Sequence, residues 1–99
     1  MKLLDKEIKT NGHTYTQVKR NKRIALYEQK TKDGILAGHE LFLIRIAKEG
    51  EIFGTFYEER EVYPSTTDFG NSAWSVGVNR EYAEKKYREL NNRLKSKDV

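Results

Sequence analysis

Lys19-Arg20-Asn21-Lys22-Arg23 packs four cations into five positions, and such a cluster attracts phosphates by releasing their counterions. Tyr15 and Tyr27 flank it in sequence, and tyrosine rings are flat surfaces on which single-stranded bases can stack. A second cluster has the opposite sign. Tyr57-Glu58-Glu59-Arg60-Glu61-Val62-Tyr63 holds three carboxylates between two tyrosines. Closely spaced carboxylates beside aromatics can occupy a protein groove built for nucleic acid. The same three glutamates are candidate ligands for a divalent cation. They alternate across a strand beside Arg60, however, which suits a solvated acidic face better.

Catalytic patterns are scarce. The two histidines, His13 and His39, share no motif, and there is no phosphate-binding glycine loop, no H-E-x-x-H and no serine in a nucleophile elbow. His39 and Glu40 are adjacent, but neighbouring strand positions point to opposite faces and cannot act on one substrate. The expectation is a non-catalytic binding protein without catalytic residues, metal ligands or cofactor.

Ninety-nine residues suffice for a single domain, 1–99, with a modest core. Eleven aromatics argue against disorder, and the absence of cysteine excludes disulfides and thiolate metal sites. The longest apolar run, "LFLI" at 41–44, is far short of a membrane span, and "MKLLDKEIKT" lacks the apolar core of a signal peptide. A cytoplasmic location is expected, that of the host cell if the protein is phage-encoded. The net charge of +4 is unevenly spread. Residues 1–48 carry eleven bases against five acids, or +6; residues 49–78 carry Arg60 against six acids, or −5; residues 79–99 carry seven against four, or +3. Two basic ends enclose an acidic middle.

The elements that must position these clusters are legible from turns and periodicity. Asn11-Gly12 suits a two-residue hairpin turn because both positions favour positive φ. Val18, Ile24 and Leu26 frame a second hairpin with the four cations at its tip, and Asp33-Gly34 marks a third turn. "HELFLIRIAK" (39–48) is apolar on both faces, as in a central strand, and "TFYEEREVY" alternates until Pro64 ends it. From a cap at Asn79, Ala83, Tyr87, Leu90 and Leu94 form one helical stripe with Tyr82 at its edge. The expected fold is α+β: an antiparallel meander of four to five strands within residues 3–63, a corner at 64–78, and one C-terminal helix, about 79–95, packed on the sheet. In the corner, Ser65-Thr66-Thr67-Asp68 has capping-box spacing, and Phe69 and Trp74 are either core plugs or an exposed contact patch.

A curved antiparallel sheet followed by a helix is similar in order of elements to the transcriptional coactivator PC4 and its bacterial relatives, which bind single strands; the likeness is one of topology, with no motif matched residue by residue. The run "YPSTTDFGNSAW" leading into "REYAEKKYREL" resembles the end of short proteins from phages and other mobile elements. That resemblance implies an origin in a phage or similar element more than an activity, and it raises the alternative of a stoichiometric inhibitor of a bacterial defence protein, such as an anti-CRISPR. Two readings therefore stand side by side. In one, Lys19, Arg20, Lys22 and Arg23 contact nucleic acid with Tyr15 and Tyr27 as stacking residues. In the other, Tyr57, Glu58, Glu59, Glu61 and Tyr63 face a nucleic-acid-handling host protein. A homodimer is compatible with either.

Overall fold

A computed structural model describes residues 1–97. Its main sheet has five antiparallel strands in the order β1-β2-β3-β4-β9: β1 Glu7–Thr10, β2 His13–Arg20, β3 Ile24–Lys30, β4 Leu36–Leu43 and β9 Ala73–Ser75. One helix, α1 (Arg80–Lys97), packs on it, giving the α+β architecture that the periodicities imply. Asn11 and Gly12 take φ of 51° and 78°, closing the tight turn between Thr10 and His13. At the next tip, the Asn21 carboxamide oxygen accepts the amides of Arg23 (2.8 Å) and Ile24 (2.9 Å). This Asx-type turn delivers the chain into β3.

β3 is the sheet's middle strand, and Ile24 through Tyr27 are all buried. Ile24 and Leu26 face the helix, where they meet Leu41 of β4, Val76, and Ala83, Tyr87 and Leu90 of α1. Ala25 and Tyr27 face the other way, into a cluster with Leu4, Phe42 and Ala73. That second face is covered by the N-terminal segment and by the stretch from Tyr63 to Phe69, which straps across it. Burial on both faces explains why β3 and β4 read as apolar runs rather than alternating ones.

Three sequence expectations change in form. The segment 39–48 is not one strand: β4 ends at Leu43, Ile44 packs into the second cluster, and β5 (Arg45–Ala47) leaves the sheet. "TFYEEREVY" divides into β7 (Thr55–Tyr57) and β8 (Arg60–Val62), with Glu58 and Glu59 between them. The corner, expected as a connection, itself supplies β9, which pairs Trp74 with Leu41. Its capping box forms as spaced: the Asp68 carboxylate accepts the Ser65 amide (2.8 Å), and Thr66–Asp68 make one 3₁₀ turn.

β5 pairs with β8, and β6 (Gly50–Ile52) pairs with β7; both ribbons keep the same hairpin register. Residues 45–62 are therefore one arm, interrupted at Lys48-Glu49 and Glu58-Glu59 and turning at Phe53-Gly54. Eight residues a side span roughly 25 Å at strand rise. The molecule measures 45 × 43 × 22 Å, flat for its size.

Candidate partner-binding surfaces

The arm carries five of the exposed large apolar side chains; Met1, Leu3, Ile35, Leu36, Val78 and Tyr82 are exposed elsewhere. Phe53 is fully exposed (103%), Phe56 is 67% and Ile52 50% exposed, and Ile46 and Tyr57 are also open to solvent. Glu49, Glu51, Glu58 and Glu59 surround them, all exposed. Phe53 has φ of 50° and Gly54 of 79°, the pair of positive values required by a two-residue hairpin turn. Asparagine or aspartate normally occupies the first position, and a bulky residue there is conformationally costly. An apolar group placed outward on a strained turn is a feature of binding sites more than of packing.

Two members of the acidic cluster are turned away from solvent. Glu61 is buried, and its carboxylate receives the Arg20 guanidinium in a two-pronged pair (Nη2 to Oε2, 2.8 Å) and the Leu4 amide (2.9 Å). The Arg20 hydrogen bond leads in holding Glu61 below the usual carboxylate range, and the Leu4 amide adds to it against the effect of burial. Tyr63 belongs to the core beside Tyr15, Tyr27 and Phe42, and its hydroxyl donates to Glu40 (2.7 Å). Burial, then the Glu40 carboxylate, pushes the Tyr63 phenol far up; burial likewise raises Glu40. Only Tyr57, Glu58 and Glu59 of the five stand on the exposed arm.

The basic cluster is also divided. Lys19 bridges to Glu84 of α1 (3.0 Å) and lies over the Tyr87 ring, and Arg20 is committed to Glu61. Lys22 and Arg23 are exposed at the β2–β3 tip. There the Asn21 amide donates to Asn91 of α1 (3.0 Å), so the helix line Glu84–Arg88–Asn91–Lys95 runs beside the tip. As stacking surfaces the tyrosines are corrected: Tyr27 is fully buried, with its hydroxyl donating to the Asp5 carbonyl (2.6 Å), and Tyr15 is half-buried against Tyr63. Both rings join the second core cluster beside Tyr63, and no base can reach Tyr27.

His39 and Glu40 do point to opposite faces. Arg80 Nε–H donates to His39 Nε2 (3.0 Å), so the His39 Nδ1–H donates to the Gly77 carbonyl (2.9 Å). Arg80 also pairs with Glu28. Burial works to raise the Glu28 carboxyl, but Arg80 and Lys30 hold it below its usual range. This set ties β3, β4 and the β9–α1 connection together, with His39 buried and the Arg80 side chain still open to solvent. Among the described residues no group of three or more His, Asp or Glu is placed to hold a metal ion.

A third surface had no signal in the residue order beyond Trp74. Trp74, Leu41, Val76 and Leu90 floor an open groove of about 420 Å³ between β9 and α1, rimmed by Lys86 and Arg93. Phe69 and Trp74 thus part company: Phe69 packs into the second core cluster, and Trp74, half-buried, lines the groove. No helix among the described residues is long and apolar enough to cross a membrane. Compared with protein-family models, curated proteins and solved structures, the chain matches none.

Proposed function

We propose that the protein is a non-catalytic, stoichiometric binder that docks its arm, residues 45–62, into an apolar pocket with a basic rim on another protein. The observation that carries this reading is Phe53, fully solvent-exposed at a positive-φ position. Nothing among the described residues packs against it, whereas an aromatic anchor entering a partner pocket can supply several kcal/mol, on the order of 2–4. Four exposed glutamates around the tip disfavour an anionic lipid surface and favour a cationic protein surface. A groove made for nucleic acid has that character, so an inhibitor of a nucleic-acid-handling protein of a bacterial host fits the arm. The test is capture from bacterial lysate by the immobilised chain. A captured protein that is lost with Phe53→Ser, and is displaced by heparin, supports the reading; capture indifferent to Phe53→Ser overturns it.

A second reading keeps nucleic acid as the ligand at the β2–β3 tip. The Asn21–Asn91 contact favours it, because it adds Arg88 and Lys95 of the helix to Lys22 and Arg23. Anisotropy of labelled oligonucleotides at low and moderate salt decides it. Micromolar binding that weakens steeply with salt and disappears in Lys22→Glu/Arg88→Glu supports this site, and no binding at low salt removes it.

A further inference from the structure

The groove between β9 and α1 has the shape, edge and charge of something that should be covered. β9 is an outer strand of the sheet: β4 takes one edge, and on the other Phe69 bridges to Ala73, whose carbonyl accepts the Gly70 amide (2.8 Å), so the open stretch of that edge begins at Ser75. The Val76 amide donates to the His39 carbonyl and the Leu43 amide to the Ser72 carbonyl, so even-numbered residues turn their peptide groups toward β4. By the alternation of antiparallel pairing, Ser75 turns its N–H and C=O toward the open side. Trp74, Leu41, Val76 and Leu90 lie alongside as an apolar floor. At the rim Lys86 pairs with Glu89 (3.4 Å) and lies over the Tyr82 ring, and Arg93 leaves the rim one net positive charge.

The arm is the complement of this groove in each respect. β6 and β7 form a two-stranded ribbon, so each has an unpaired outer edge. The tip offers Ile52, Phe53 and Phe56 as apolar side chains. Glu49, Glu51, Glu58 and Glu59 against Lys48 leave the outer arm net negative, opposite to the groove rim. We infer that the groove receives the arm of a second copy of this chain, and that two copies exchange arms about a twofold axis. The inference rests on the reading of the arm as a docking element and gives it a second copy of the chain to dock on, which competes with any other protein for Phe53. Reciprocal exchange closes the assembly, whereas one-way insertion would leave an arm and a groove open at the ends of a growing chain. An anchoring aromatic buries about 150–250 Å². Two such anchors with an equal area of groove wall account for about 600–1,000 Å², and Ile52, Phe56 and the strand edges of each arm must supply the rest of the roughly 1,200–2,000 Å² of a stable interface. In the dimer β6 or β7 would extend the main sheet past β9, satisfying the Ser75 peptide groups and covering Trp74.

Sedimentation velocity of the full chain, from low micromolar to several hundred micromolar, tests this directly. The expected result is a concentration-dependent dimer that weakens as salt rises, because part of the contact is ionic. Phe53→Ser, which removes the anchor, and Lys86→Glu/Arg93→Glu, which inverts the rim, should each give a monomer with an unchanged circular dichroism spectrum. Mixing these two variants should restore a weaker heterodimer, since one intact arm then meets one intact groove. Recovery on mixing cannot come from a misfolded variant, so it separates docking from general damage. A wild-type monomer across the whole range, a dimer indifferent to both variants, or open-ended growth overturns the inference. A wild-type monomer whose lysate partner is nevertheless lost with Phe53→Ser refutes self-exchange alone. Indifference to Phe53→Ser in both assays refutes the docking role of the arm as well.

Discussion

At Phe53 a bulky side chain occupies a backbone conformation that suits glycine or asparagine, and it buries nothing in return. Replacing it with asparagine should relieve about 1 kcal/mol of backbone cost and produce the usual Asn-Gly hairpin turn. Hydrogen exchange of amides 50–57 is then expected to slow about fivefold, the equivalent of 1 kcal/mol, while partner binding is lost. Glu61 shows the reverse economy, a charge spent inward. With Arg20 attached, breaking the pair by Glu61→Leu should cost about 3 kcal/mol, since it strands a half-buried guanidinium. The pair also makes stability pH-dependent. The folded-state pKa of Glu61 is depressed, so its contribution is present above the ordinary carboxylate range and is lost as pH falls through the folded value. Glu40, raised by burial, acts in the opposite sense, because its neutral form is the one the folded protein prefers. Urea unfolding at pH 7 and pH 3 should therefore show the Glu61→Leu deficit shrinking at pH 3.

At the scale of elements, the arm is the part most detached from the core. Ala47 and Arg60 are cross-strand partners, so a two-residue Asn-Gly turn can join them in place of residues 48–59. The shortened chain should unfold cooperatively, with a Tm within a few degrees of the full-length protein in calorimetry, but should neither dimerise nor capture a partner. Helix α1, by contrast, is held at several points. Its stripe buries Ala83, Tyr87 and Leu90, while Asn79 caps its start by accepting the Tyr82 amide (2.9 Å). Arg80 locks onto His39 and Glu28, and Asn91 reaches the β2–β3 tip. Ala83 is fully buried beneath the sheet, and enlarging it to leucine is expected to cost about 1–3 kcal/mol by overpacking. A lowered urea midpoint at unchanged m-value would register that loss.

For the whole molecule, charge segregation along the chain becomes segregation in space. The acidic middle of the sequence projects as an arm, while the basic ends supply β2, its tip and the helix. This polarity favours orientation of a charged partner and alternating contact between copies over random association. The self-exchange inference makes the salt dependence of sedimentation the measurement that belongs to this scale.

What the residue order determined was local. Asn11-Gly12, the 3.6-residue stripe of α1 and the Ser65–Asp68 box each depend on residues within a few positions of one another, and each formed as its spacing dictates. The α+β class followed, since a two-period half and a helical end must share one core. Gly50-Glu51-Ile52-Phe53-Gly54-Thr55-Phe56 also carried a local hairpin signal, glycine at the second turn position between β-type residues, but Phe53 in the first position obscures it. Only the tertiary structure decided which charges face outward. Arg20 and Glu61 stand 41 positions apart, as do His39 and Arg80, and nothing short of sheet register and helix docking brings them together. Alternation placed Tyr27 and Tyr63 on a strand face without saying whether that face was covered. The strap from Tyr63 to Phe69 covers it, turning two candidate contact residues into core. The same crossing of the chain placed β9 at the sheet edge beside α1, and so created a groove that no run of neighbouring residues encodes.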